Sequence, residues 1–156
     1  MPSFLRIPKV QLSLSLFLIY LTTLKQLSVE RGLFLLFISL TSSIFFDLLC
    51  TRIRRKGLFL PWAAVASGLI IALIIDPASS WYQIASVSAM AIATKNFLRI
   101  SGRHVFNPAA VGLLLGGIIF NQHIAWWGVS FQNLMLFPVL LLPALISGYR
   151  LRRYQT

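Results

Sequence analysis

Long apolar segments alternate with short polar or basic breaks along almost the whole chain. The breaks hold charged residues, proline or paired aromatics such as Trp126-Trp127, which we expect at a membrane interface. Water does not tolerate such apolar segments, whereas a bilayer requires them. The pattern predicts an all-α, polytopic membrane protein that forms a single transmembrane domain over residues 1–156. The six predicted transmembrane helices cover residues 10–27, 33–50, 58–75, 81–98, 108–121 and 131–149.

The fifth predicted helix is short for a membrane span. Its apolar run, Ala109 to Phe120, has 12 residues and is about 18 Å long, against a hydrocarbon core of about 30 Å. Asparagine is a favoured helix cap and proline suits the first helical position, so Asn107-Pro108 indicates the helix start. A start at membrane depth would suit a ligand, whereas a start in a loop would be an ordinary capped helix. The pattern leaves both open.

The composition and the placement of charge support a membrane protein. The chain is 58% hydrophobic and 11% charged, with a net charge of +11. Its basic residues lie in short clusters between apolar runs, which argues against a nucleic-acid partner and for a lipid bilayer. With six spans, twelve of the 14 Lys and Arg residues fall on one side. Positive residues stay inside, so we expect a multi-pass protein of the bacterial inner membrane with both termini cytoplasmic.

Few residues are suited to metal binding or catalysis. Cys50 is the only cysteine, and His104 and His123 are the only histidines, so we predict no metal site and no catalytic residues. Asp47 is different, because a carboxylate at membrane depth is costly unless it is paired or functional. It is a candidate ion-binding residue. The alternative is an ion pair with Arg52 or Arg54 near the cytoplasmic surface.

Several motifs together resemble one known family. They are the Ser-Gly-Leu-Ile-Ile-Ala-Leu run at 67–73, a turn at Pro77, Trp-Tyr-Gln at 81–83, Lys95, and Ser-Gly-Arg-His-Val-Phe-Asn-Pro-Ala at 101–109. With Asp47 and the basic loop at 52–56, they resemble the NqrB/RnfD family of membrane subunits in sodium-pumping quinone reductase and Rnf electron-transport complexes. The resemblance covers about residues 37–120. It implies one half of a urea-transporter-like fold that in the family has ten helices in two inverted halves.

The resemblance also implies a cofactor. Family members carry flavins within the membrane, and a non-covalent flavin (riboflavin or FMN) lies beside polar residues that match His104 and Asn107. Phe106 would offer an aromatic face or belong to the core, and His104 would contact flavin or be a hydrogen-bonded turn residue. Arg103 and Lys95 are topology charges, either of which could pair with a flavin phosphate, while the resemblance gives Asp47 a cation or proton role. His104 stands where the family has Asn, and the Ser-Gly-Ala-Thr motif for a covalent flavin does not occur, so no covalent flavin is expected.

These features predict an NqrB/RnfD-like membrane subunit that binds flavin and takes part in electron transport coupled to ion movement. As an enzyme it would be at most one subunit of an oxidoreductase complex. The second half of the family fold does not occur in this sequence, so we expect a homo-oligomer or other membrane subunits as partners. Two alternatives stay open: a transporter or channel half that oligomerises, and a structural membrane subunit without a site.

Overall fold

The structure is a computed structural model that describes residues 8–54, 60–98 and 106–128. Within these ranges the chain is helical, as predicted. The helices are α1 (Pro8–Thr23), α2 (Val29–Ile53), α3 (Trp62–Ile74), α4 (Trp81–Phe97) and α5 (Pro108–Phe120), with a short 3-10 turn at Leu24–Gln26 after α1.

Local capping chemistry sets the starts of three helices. Asn107 caps α5 with its side chain, and Pro108 is the first helical residue, as predicted. At α4, Ser80 and Gln83 form a reciprocal capping box. Ser28 caps α2 by accepting a hydrogen bond from the Arg31 N–H. Helix α2 therefore begins four residues earlier than the predicted start at 33, with Glu30 favourably placed in its first turn.

The number of membrane spans is not confirmed. Among the residues that the structure describes, only α2, with 25 residues, is long and apolar enough to cross a membrane by itself. Helices α1 and α4 have 16 and 17 residues, and α3 and α5 have 13 each. The predicted sixth span, at 131–149, lies outside the described residues. Since 13 residues extend only about 20 Å, the third predicted helix is short as well as the fifth.

Helices α2 and α4 pack side by side in the same direction. Arg31 on α2 bonds to the carbonyl of Ser79 just before α4, and Asp47 on α2 bonds to Lys95 on α4. Both pairs are 48 positions apart in sequence. A constant separation means that the two helices run parallel, so each residue on α2 has a counterpart on α4 at about the same level.

Helix α5 packs against α4 in the opposite direction. A Cβ added at Gly112 would lie 2.6 Å from the Val87 carbonyl oxygen and 2.7 Å from the Ala91 Cβ. The ring of Tyr82, near the start of α4, contacts Phe120 at the end of α5, with centroids 6.4 Å apart. Small residues thus let the two helix backbones approach closely, as membrane helices commonly do.

The distribution of polar side chains is reversed relative to a soluble protein. Large apolar residues such as Phe37, Phe45 and Ile118 are exposed, whereas several hydroxyl and amide side chains are buried between helices. A lipid environment explains both observations, because lipid accepts the apolar outer faces and drives polar groups inward. The buried polar residues include Ser39, Ser43, Asp47, Thr51, Ser67, Ser88 and Asn96.

The segment after α5 returns across the end of α3. Ile124 forms a bridge with Ile75, and the indole N–H of Trp127 donates to the Ala72 carbonyl at 3.0 Å. Trp127 is only 7% exposed and its ring meets Tyr20 edge-on. The indole of Trp127 thus finds its partner inside the bundle rather than at the outer surface, and the membrane-interface position of the pair stays a prediction. Trp126 is exposed.

Candidate functional site

Asp47 lies on the inner face of α2 and is paired with α4. The side chain is 1% exposed, and its Oδ1 accepts a hydrogen bond from Lys95 Nζ at 2.8 Å. The Asn96 amide also approaches the same oxygen, at 3.4 Å. Charges at membrane depth require such partners. The buried acid predicted from the sequence is therefore held by an ion pair between two helices.

The partner of Asp47 differs from the predicted arginines. Arg52 follows Asp47 by five residues, so its side chain leaves the helix about 140° around the axis from that of Asp47. Arg52 is accordingly exposed and turned away from the carboxylate. Arg54 uses one guanidinium nitrogen to donate to the Asn96 carbonyl, at 2.7 Å. Lys95 instead reaches Asp47 because the parallel packing of α2 and α4 puts the two residues at one level. That register is a tertiary feature.

One side of the Asp47 carboxylate is unpaired. Its Oδ2 has no hydrogen-bond partner among the described residues, and neither do the hydroxyls of Ser43 and Ser88, although all three atoms are buried. Buried polar atoms normally have a partner, so each exception needs an explanation. A carboxylate oxygen with free lone pairs can accept a proton or bind a cation, so the geometry is compatible with the predicted role of Asp47 as an ion-binding residue.

Buried hydroxyl residues share the face of α2 that carries Asp47, and they were not predicted. Ser39, Ser43, Asp47 and Thr51 recur every four residues along α2, and all four are buried. Residues four apart share one face of a helix, so this spacing was a detectable signal of a polar inner face. The buried Ser88 on α4 had no such signal, because its burial depends on how the helices pack.

Of the other predicted site residues, the structure describes Phe106 and Asn107, at the start of α5. Asn107 is exposed, and its Oδ1 accepts from the Ala109 N–H at 3.1 Å. Pro108 has no N–H, so the Asn107 amide nitrogen is the group nearest the helix start that can donate outward; it has no partner among the described residues. Phe106 is 64% exposed. His104 and Arg103 lie outside the described residues, and their roles stay predictions.

The packing of α5 on α4 brings the two predicted sites to the same end of the bundle. Gly116 contacts Val87, and Gly112 lies against Ala91. The two helices are antiparallel, so about one turn before Gly112 on α5 corresponds to about one turn after Ala91 on α4. The start of α5, at Asn107-Pro108, is therefore level with Lys95 and Asn96. Asp47 is at that level too, six residues before Ile53, or about 9 Å from the end of α2.

Apolar outer faces and polar groups turned inward are features of an integral membrane protein. A family model described as the NQR2, RnfD, RnfE family matches residues 6–147, and the chain belongs to this family. The resemblance seen in the sequence is thereby confirmed, and the chain is of the class that forms membrane subunits of Nqr- and Rnf-type complexes. No curated protein and no solved structure matches the chain at a significant level.

Proposed function

We propose that this chain is a membrane subunit that binds a non-covalent flavin at the start of α5 and takes part in electron transport coupled to ion movement. The observation that carries the proposal is that two unusual features lie at the same height along the axis of the helix bundle. The exposed start of a short helix, at Asn107, lies level with the buried pair of Asp47 and Lys95. A redox cofactor and an ion-binding carboxylate would therefore be at the same end of the bundle.

The described residues at the start of α5 suit one edge of a flavin ring. The Asn107 amide nitrogen can donate to a ring carbonyl while its oxygen keeps capping the helix. The exposed ring of Phe106 offers a stacking face. His104 and Arg103, just before them in the sequence, would add an imidazole and a positive charge for the phosphate of FMN. When bound, the flavin supplies one- and two-electron transfer.

Asp47 would carry the ion in this scheme. Lys95 balances the carboxylate charge through Oδ1, and Oδ2 remains open to a proton or a cation. Following the loop charges, the end of the bundle with Arg52 and Arg54 would face the cytoplasm of a bacterial inner membrane. Other membrane subunits, or a second copy of this chain, would complete the electron path.

Flavin titration of the purified protein tests the proposal. Riboflavin and FMN are added to the protein in lipid nanodiscs, and binding is followed by flavin fluorescence. Asn107→Asp keeps the oxygen that caps α5 but removes the amide donor and adds a charge. We expect flavin binding to weaken by about tenfold or more, because one hydrogen bond is replaced by repulsion.

The matched control lies at the other end of the same helix. Asn121 ends α5 in a left-handed conformation, with φ of 49°, which Asp also tolerates. Asn121→Asp should leave flavin affinity unchanged. The flavin proposal is wrong if the wild-type protein binds neither riboflavin nor FMN, or if Asn107→Asp and Asn121→Asp bind as tightly as the wild type.

A further inference from the structure

The ion pair between α2 and α4 joins a buried acid to a residue that reaches the protein surface. Asp47 is 1% exposed, whereas Lys95, in the last turn of α4, keeps 11% of its side chain exposed. Lys95 Nζ and Asp47 Oδ1 are 2.8 Å apart, the distance of a charge-assisted hydrogen bond. The buried carboxylate is therefore connected to the surface through the lysine.

The carboxylate of Asp47 is far from the other acidic side chains of the chain. There are three acidic residues in the sequence, and the other two are Glu30 and Asp76. Glu30 is in the first turn of α2, about 25 Å from Asp47 along the helix, and Asp76 lies in the turn after α3, at the same end as Glu30. Among the described residues, no group of three His, Cys, Asp or Glu side chains could hold a metal ion. A cation at Asp47 would have one carboxylate, whose charge Lys95 already balances.

The polar groups that approach Asp47 are donors, which do not bind cations. The Lys95 ammonium and the Asn96 amide nitrogen both approach Oδ1, at 2.8 Å and 3.4 Å. A sodium ion needs several oxygen ligands to replace its hydration shell, and membrane proteins often take them from unwound backbone. Neither α2 nor α4 is unwound at this level, because Asp47 and Lys95 both lie inside continuous helices.

The charged and titratable groups that face Asp47 within the described ranges lie on α2 and α4. On α2 they are Cys50, less than one turn further along, and Arg54, which donates to the Asn96 carbonyl. On α4 there is Lys95, while α3 and α5 contain no ionisable residue. Of the two groups that donate to Oδ1, only the lysine can lose and regain a proton, because an amide does not ionise.

We propose that the ion taken up at Asp47 is a proton, which Lys95 delivers, and that the site does not bind Na⁺. An N–H bond of the Lys95 ammonium breaks and an O–H bond forms on the Asp47 carboxylate. This transfer removes both charges of the pair, and burial penalises charge. The neutral amine then takes a proton from water at the protein surface, so Asp47 has gained one proton; release reverses these steps. The inference rests on the proposed role of Asp47 in ion movement, but not on flavin.

Infrared spectroscopy of the protein in nanodiscs tests which ion is bound. A protonated carboxyl group gives a C=O band that a carboxylate lacks. With ¹³C-labelled aspartate, only Asp47 and Asp76 carry the label. Asp76→Asn removes the second band, and Asn keeps a side-chain oxygen that can accept from the Ala78 N–H, as Asp76 does. The Asp47 band is then titrated with pH in choline chloride and in NaCl of equal ionic strength.

We expect the Asp47 band to have the same titration midpoint in both salts. Sodium bound to the ionised carboxylate would compete with protons and lower the midpoint, by about one pH unit for each tenfold rise in Na⁺ above its Kd. Such a shift would overturn the proposal and make Asp47 a sodium-binding residue.

The variant Lys95→Arg tests the delivery of the proton. Arginine keeps the positive charge and can pair with Asp47, but it does not give up a proton. After a light-triggered fall in pH, the Asp47 band should appear more slowly than in the wild type, by about tenfold or more. Lys25→Arg is the matched control, because Lys25 is exposed at the other end of the bundle. Equal rates in both variants and the wild type would overturn delivery by Lys95.

These measurements use flavin-free protein, so their failure can be told apart from that of the cofactor. A failed flavin titration with a sodium-independent Asp47 band would reject the proposed flavin alone. If no Asp47 band appears at any pH at which the protein stays folded, the pair is only structural. That result would overturn this inference and the ion-carrying role of Asp47, and would leave flavin binding untouched.

Discussion

At the scale of single residues, the two members of the buried ion pair are not equivalent. Asp47 has a short side chain on the inner face of α2 and cannot leave the bundle without moving the helix. Lys95 has four methylene groups and is partly exposed, so its ammonium group can extend towards the surface if its partner is removed. The loss of one partner should therefore cost more than the loss of the other.

This asymmetry gives a stability prediction. Lys95→Met leaves a buried carboxylate without its counter-charge and should lower the free energy of unfolding by about 3 kcal/mol or more. Asp47→Asn should cost less, because Lys95 can turn outward. The double variant Asp47→Asn/Lys95→Met should recover most of the loss of Lys95→Met. Denaturant titration in detergent measures all three, and a double variant no more stable than Lys95→Met contradicts the argument.

At the scale of helices, the sequence predicted what local chemistry determines. The start of α5 was found because Asn107-Pro108 is itself a cap, and the start of α4 was placed at Trp81 by its interfacial aromatics, where the structure shows a capping box of Ser80 and Gln83. The start of α2 was placed too late, because Glu30 and Arg31 were interpreted as a loop. In the structure Ser28 is the N-cap of α2, so both residues lie in its first turn. Charge alone does not end a helix.

What depends on contact between helices was not predictable in the same way. The sequence identified Asp47 as costly in a membrane but suggested Arg52 or Arg54 as its partner. The actual partner, Lys95, follows from the register of α2 against α4. That register depends on packing along the whole length of both helices, and no local motif encodes it. Ser88 was missed because its burial also depends on packing between helices.

The close contact between α4 and α5 predicts different effects for two glycines of one helix. At Gly112 a Cβ would meet the Val87 carbonyl at 2.6 Å, whereas at Gly117 the nearest atom is the Gln122 carbonyl at 3.6 Å. Gly112→Ala should destabilise the protein by about 1–3 kcal/mol, because the helices must separate. Gly117→Ala should be neutral or stabilise by up to about 1 kcal/mol through helix propensity. Thermal unfolding compares them, and equal effects would contradict this packing.

At the scale of the whole molecule, the two ends of the bundle are chemically different. At one end, Arg31 on α2 donates to the carbonyls of Pro77 and Ser79 and lies over the ring of Phe34, joining the α3–α4 connection to α2. The other end, at the level of the start of α5, carries Arg52, Arg54 and Lys95. Basic residues concentrated at one end are the property that orients a membrane protein.

The orientation can be tested with single cysteines in a Cys50→Ala background. Lys25 and His123 are exposed at the Arg31 end, and Arg52 is exposed at the other. In right-side-out membrane vesicles, a membrane-impermeant maleimide should label Lys25→Cys and His123→Cys but not Arg52→Cys. Inside-out vesicles should give the reverse pattern. Labelling of Lys25→Cys and Arg52→Cys from the same side would mean that α2 does not cross the membrane, because these positions flank the 25 residues of that helix.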